Sequence, residues 1–180
     1  MAKIIATDSL HYQFSMNGIY VITGGNLGNR VENLQQCRQA IEKRIGTIIQ
    51  SSGIYETAAW GNEMDAAYLN QVLFIHTHKS AIETLEESLS IEHELGRTRN
   101  KKWEARLIDI DILFFNNDVI HTDQLTVPHP HLQSRRFVLV PLSEIAGDFI
   151  HPLLGKRVNE LLLHCDDPLN VSLFDVSIKK

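Results

Sequence analysis

Two aspartates sit inside the most strand-like stretch of the chain, Leu107-Ile108-Asp109-Ile110-Asp111-Ile112-Leu113-Phe114-Phe115. Side chains alternate across a strand, so Asp109 and Asp111 share one face while Ile108, Ile110 and Ile112 share the other. Carboxylates in mid-strand repel each other and lose hydration, and Asp is depleted from strands. A fold that keeps this segment must set something positive against Asp109 and Asp111. A hard divalent cation is the natural partner, since Mg2+ takes carboxylates together with substrate phosphates. The alternative is a solvated face on an edge strand.

A cation block runs into that strand: Arg97, Arg99, Lys101, Lys102 and Arg106. Arg97, Arg99 and Arg106 can each fork onto phosphate oxygens. A basic loop feeding a two-Asp strand is the charge layout of a nucleotide–metal site. Taken alone, the block reads as a solvated loop. Trp103 stands in the same polar stretch, where a large ring needs something to cover, a flat ligand or a local anchor. Further on, prolines stiffen Val127-Pro128-His129-Pro130-His131, followed by Arg135-Arg136-Phe137. His129 and Arg135 can reach phosphate from there. His76 with His78, and His129 with His131, have a zinc-like spacing but no cysteine or third ligand nearby. Tyr68-Leu69-Asn70 puts a ring and an amide on one face of a predicted strand. Core packing accounts for Tyr68 equally well.

The rest of the chain supplies a frame. Ile19 to Ile22 predicts a strand, followed by a loop with Gly24, Gly25 and Gly28 that permits tight turns and close approach to a ligand. Val31, Leu34, Cys37, Ile41 and Ile45 form the stripe of an amphipathic helix that ends near Gly46. Thr47 to Thr57 and Tyr68 to Thr77 predict strands. Ser80 and Glu83 make a capping box ahead of Ile82, Leu85 and Leu89, with Gly96 closing that helix. Asn116-Asn117-Asp118 predicts a turn into a return strand at Val119-Ile120. The chain after Pro128 reads as loop, Val138 to Ile145 as a short apolar stretch, and Val158 to His164 as a last helix. The order β-α-β-β-α-β-β predicts an α+β domain with a ferredoxin-like antiparallel sheet and helices on one face. The expected limits are an N-terminal extension over 1–16, one domain over 17–165, and a partly loose C-terminal tail over 166–180.

Composition removes several classes. With 43% hydrophobic residues the chain is too apolar for a disordered tail. Seventeen Lys and Arg against 22 Asp and Glu give a net charge of −5, which argues against phosphate-driven nucleic-acid binding. Two distant cysteines, Cys37 and Cys165, suit a reducing cytosolic compartment. No apolar run approaches the ~20 residues that span a bilayer. The first residues, broken by Asp8, do not read as a secretory signal.

Several of these segments fall in one order between about Ile19 and about Ala146. They are Gly24 to Leu27, Tyr68-Leu69-Asn70, Gly96-Arg97-Thr98-Arg99, Trp103, Arg106 through Phe114, Val127-Pro128-His129, and Arg135-Arg136-Phe137. In that order they resemble the 6-hydroxymethyl-7,8-dihydropterin pyrophosphokinase family of the folate pathway. The resemblance implies transfer of the terminal diphosphate of ATP to the pterin hydroxymethyl group, with release of AMP. It implies that Asp109 and Asp111 hold two Mg2+ ions bridging the ATP phosphates. It puts ATP contacts on Glu92, Arg97, Arg99, His129 and Arg135, and catalytic roles on Arg97 and Arg106. The pterin stacks between Tyr68 and Phe137 in this reading. Asn70 and the backbone from Thr57 to Trp60 read its edge, and Trp103 and Arg106 close over it. The implied fold is ferredoxin-like. The implied partners are small-molecule substrates alone, for a cytoplasmic monomer that meets neither nucleic acid nor membrane.

The chain departs from the family pattern at Trp103-Glu104-Ala105-Arg106, where members often read Trp-Gly-Pro-Arg. Gly24-Gly25-Asn26 stands for Gly-Ser-Asn, and Thr57-Ala58-Ala59 for Thr-Pro-Pro. Pro130 takes the place of an aromatic residue, so one ATP contact is lost or replaced. Three rival readings remain at this stage. One is a non-catalytic ligand-binding module, another an RNA-binding sheet of the same topology. The third is an ATP-dependent transferase that releases ADP.

Overall fold

Ile19 and Val21 on one side, and Ile22 on the other, make Asn17–Gly25 a strand buried on both faces, β1. The computed structural model describes residues 16–58, 66–96 and 107–176. The expectations for Trp60, Arg97, Arg99, Trp103 and Arg106 lie outside the described residues. The Asn29 side chain accepts the Glu32 N–H and starts helix α1 (Arg30–Arg44). Leu34, Cys37 and Ile41 are the buried stripe of that helix. Strands β2 (Thr47–Ser51), β3 (Tyr55–Thr57) and β4 (Tyr68–Thr77) follow. The predicted Ser80–Glu83 capping box is present and opens α2 (Ala81–Glu94). Next comes β5 (Asp109–Phe115), then short β6 (Ile120–His121) and β7 (Thr126–Val127). A 3-10 turn (Leu132–Ser134) leads into α3 (Arg136–Ala146), α4 (Val158–Leu163) and β8 (Val171–Leu173).

The main sheet is antiparallel with the order β5-β1-β4-β3-β8, and β2 also pairs with β4. This is the ferredoxin-like α+β arrangement the sequence predicts. One part of that expectation changes: helices cover both faces. Val21, Leu73, Ile110 and Ile112 pack with Leu34, Cys37, Ile41 and Ile91 of α1 and α2. Ile22, Val72 and Phe114, on the other face, pack with Val138, Leu139, Leu142, Val158 and Leu161 of α3 and α4. The strands are apolar on both sides, so a single helical layer would leave one apolar face in water. Among the described residues no helix is long and apolar enough to cross a membrane.

Three further expectations are corrected. The strand predicted over Thr47 to Thr57 is two strands, because the chain leaves the ladder after Ser51. There the Gly53 N–H turns to Glu144 Oε2 on α3, at 3.0 Å. The turn after β5 exists, with Asn116 at φ 48°, but its return strand β6 pairs with β7 and not with β5. Two main-chain groups of β5 are taken elsewhere: Ile110 N–H by Glu92 and the Leu113 carbonyl by the His129 N–H. Residues 171–173, expected within a loose tail, form β8 against β3, and Phe174 N–H donates to Ile54 O at 2.8 Å.

Candidate functional site

The site is built on one row of the sheet. Gly24 pairs with Asp109 on β5 and with Asn70 on β4, and Asn70 pairs with Tyr55 on β3. Residues opposite each other share a face, so Asp109, Gly24, Asn70 and Tyr55 point to one side. That side carries α3, since Tyr55 OH donates to Glu144 Oε2 at 3.0 Å. Asp111 and Tyr68, each two residues along its strand, face the same way. Thr57 lies opposite Tyr68 and completes the set. The predicted Asp109, Asp111, Asn70, Tyr68 and Thr57 therefore share one face near one end of the sheet. Gly24 is what lets the row close up: a Cβ there would come within 2.3 Å of Asn70 Oδ1.

The aspartate strand is held from its other flank. Glu92 on α2 is 2% exposed, and its Oε1 accepts the Ile110 N–H at 2.7 Å. Ile110 lies between the two aspartates, so this bond fixes the backbone that carries both. Glu92, implied as an ATP contact, thus sits inside the fold against the main chain. Burial, reinforced by the Glu92 charge, pushes the Cys37 thiol up to about 12. Asn33 on α1 donates from Nδ2 to Leu27 O at 3.0 Å and to Leu107 O at 3.3 Å. The glycine-rich loop and the chain entering β5 are tied together by that one amide.

A β-bulge brings in the proline-rich loop. Val21 pairs with Ile112 and Tyr20 with Phe114, which leaves Leu113 as the extra residue. Its carbonyl accepts the His129 N–H at 3.0 Å. Burial, with the charges of Arg135 and His131, lowers the His129 pKa to about 4 against the opposing pull of Asp109. His129 is therefore neutral at pH 7. Its Nδ1 accepts the His131 N–H at 3.2 Å, which assigns the proton to Nε2 and makes that atom a donor. The Arg135 guanidinium lies 5.8 Å from the centre of the Phe137 ring, at the start of α3.

The geometry thus sets Asp109, Asp111, Tyr68 and the Asn70 amide on one face, with His129 within electrostatic reach of Asp109 and of Arg135, which lies beside the Phe137 ring. Carboxylates without a thiolate suit Mg2+ better than a soft metal. Thr57 Oγ1 is buried and lacks a partner among the described residues. Two open clefts have volumes of about 500 and 530 Å3, and the first reaches the row at Glu144, the partner of Tyr55. The first is lined by Tyr20, Glu144 and Phe149, the second by Met16, Ile49 and His76. Sequence reasoning missed the Tyr55–Glu144 bond and the Gly24–Asn70 approach. The strand period would have put Tyr55 on the row. No local signal pairs it with Glu144, 89 residues away.

Known proteins are similar to this chain in sequence and in fold. The family model described as 7,8-dihydro-6-hydroxymethylpterin-pyrophosphokinase (HPPK) matches residues 20–147. The 2-amino-4-hydroxy-6-hydroxymethyldihydropteridine pyrophosphokinase of Bacillus subtilis is 44% identical over 132 residues, 72% of this chain and 79% of that protein. The protein of the same description from Haemophilus influenzae is 37% identical over 134 residues, 74% of this chain and 84% of its own. A solved HPPK-DHPS chain of Plasmodium falciparum matches with a TM-score of 0.71 at 17% identity, a likeness of fold. The match covers 85% of this chain and 46% of that one, so this chain spans under half of its length.

Proposed function

Because this chain belongs to the 7,8-dihydro-6-hydroxymethylpterin-pyrophosphokinase family, we propose that it moves a diphosphate from ATP to 6-hydroxymethyl-7,8-dihydropterin in folate biosynthesis. The observation that carries the reading is the single row that joins Asp109 to Asn70 across Gly24. Two carboxylates suited to a cation-bound polyphosphate thereby stand beside an amide suited to the edge of a flat heterocycle, which supports the reading.

The pterin hydroxymethyl oxygen attacks the β-phosphorus of ATP. A new O–Pβ bond forms, the bond from Pβ to the oxygen of the α-phosphate breaks, AMP leaves, and the hydroxyl proton passes to solvent. Asp109 and Asp111 would hold Mg2+, which would supply charge neutralisation for the polyphosphate. Neutral His129 donates from Nε2 to a phosphate oxygen, and Arg135 forks onto another. Asn70 offers donors and an acceptor to the heterocycle edge. The Thr57 hydroxyl, without a partner among the described residues, gains one there, recovering part of the roughly 1–3 kcal/mol that an unsatisfied buried group costs. Tyr68 and Phe137 give ring faces for stacking. By the family motif, Arg97, Arg99 and Arg106 add phosphate-binding charge, Arg97 and Arg106 at the reacting groups. Trp103 covers the bound pterin, and the backbone through Trp60 reads its edge. Catalysis is positioning and charge neutralisation, with no covalent intermediate. The protein works as a cytoplasmic monomer on small-molecule substrates.

The test is to incubate the protein with ATP, Mg2+ and 6-hydroxymethyl-7,8-dihydropterin and resolve the nucleotides by chromatography. AMP is expected in step with pterin consumed. In the Asp109→Ala/Asp111→Ala variant its rate falls by at least about a hundredfold, the loss that follows when metal-site groups are removed. ADP as the product contradicts the proposal. So does folded protein that yields no pterin-dependent nucleotide, an outcome that favours a binding module.

A further inference from the structure

Arg30 is the first residue of α1 and lies directly behind the glycine-rich loop. Its Nη1 carries two hydrogens and uses them on two partners: Glu56 Oε1 at 2.7 Å and Ala67 O at 2.6 Å. The guanidinium carbon also lies 5.7 Å from the ring centre of Phe174. Asn26, in the same loop, donates from Nδ2 to Ala66 O at 3.3 Å. One guanidinium thus holds the chain on both sides of the β3–β4 connection. Glu56 adjoins Thr57, and Ala67 adjoins Tyr68.

Arg30 does this from behind the site. Glu56 pairs with Leu69, and Leu69 belongs to the core under α1 and α2. Thr57, Tyr68 and Asn70 point to the opposite face. Arg30 therefore reaches the row only through the backbone that carries it. Its side chain is 17% exposed and that of Glu56 35%, so this pair is shielded beyond an ordinary surface ion pair. A lysine Nζ also has hydrogens for both acceptors, but it lacks the planar guanidinium, whose fixed donor geometry holds the two bonds while its carbon lies near the Phe174 ring.

We propose that Arg30 is a positioning residue that sets affinity for the heterocycle, by clasping the two chain segments that present Thr57 and Tyr68. The proposal rests on the function given above. A site whose backbone is ordered before the ligand arrives loses less on binding. Without the clasp that ordering falls on the pterin step. The nucleotide step rests on Asp109, Asp111, His129 and Arg135, which the clasp does not touch. Phe174 joins the chain after β8 to the same point.

The experiment compares wild type with Arg30→Met, Arg30→Lys and Glu56→Gln. It reads KM for each substrate, kcat, melting temperature, and the Kd of 6-hydroxymethylpterin by calorimetry without ATP. In Arg30→Met the pterin KM and Kd rise about tenfold, while KM for ATP and kcat stay within about threefold. Arg30→Lys recovers part of the loss. Glu56→Gln keeps the bond to Ala67 O and shows a smaller rise in the same direction, which preserves the test if Arg30→Met folds poorly. A merely structural Arg30 would lower melting temperature and kcat with the pterin KM unchanged, and that result overturns the proposal. So does an equal rise in both KM values. Wild-type AMP formation is measured first. Failure of the function then appears as absent AMP in wild type, and failure of the clasp as an unmoved pterin KM in the variants.

Discussion

Glu92 illustrates how much one side chain decides at the residue scale. It is a carboxylate buried at 2% exposure whose Oε1 holds the N–H of Ile110, the residue between the two aspartates. Removing it strips a buried donor of its acceptor and leaves a void, so Glu92→Ala costs about 2–4 kcal/mol. Glu92→Gln keeps an acceptor oxygen and costs less. Urea midpoints for the two variants against wild type check this, and equal midpoints for all three would refute it. The aspartates themselves were legible, because two carboxylates at a period of two in an apolar run have few explanations. Glu92 was legible only through the family motif, and its burial was not. Its bond joins residues 18 apart on different elements, which no local pattern encodes. Arg30 was silent for the same reason: its partners lie 26 and 37 residues away.

Elements with strong local chemistry were read well. Helix α1 has its stripe of Leu34, Cys37 and Ile41, α2 its Ser80–Glu83 box, and β4 runs over the predicted Tyr68–Thr77. Those set by distant partners were not. Helix α3 hid because Pro141 interrupts the donor pattern within it, and its buried Val138, Leu139 and Leu142 show a helix only once a second sheet face needs covering. Strand β8 has three residues, too few to show a period, and forms because β3 offers an edge. The break between β2 and β3 follows from the Gly53–Glu144 bond across to α3. One prediction belongs to the contact between strands β1 and β4. Gly24→Ala forces Asn70 off the row, because the new Cβ meets its Oδ1 at 2.3 Å. Loss of the Asn70 contacts lowers kcat/KM for the pterin about ten- to a hundredfold, with the fold kept, as kinetics and circular dichroism together will read. Undiminished kcat/KM in folded Gly24→Ala would show that Asn70 does not serve the heterocycle.

Across the whole molecule, sheet and helices gather carboxylates, an amide and a hydroxyl at one end of one sheet. Edge strand β5 brings Asp109 and Asp111, β4 and β3 bring the Asn70 amide and the Thr57 hydroxyl, and the bulge at Leu113 docks the loop that carries His129 and Arg135. The fold class was legible because α+β order follows from periods and caps. The second helical layer was not, because it follows from strands apolar on both faces. What distinguishes diphosphate transfer from every other use of ATP is the fate of the β-phosphorus. The decisive measurement therefore supplies ATP radiolabelled at that atom, with Mg2+ and 6-hydroxymethyl-7,8-dihydropterin, and follows the label. The label is predicted to leave the nucleotide pool and appear in the pterin product, one label per pterin converted, with unlabelled AMP. Label retained in ADP beside a phosphorylated pterin would contradict the account.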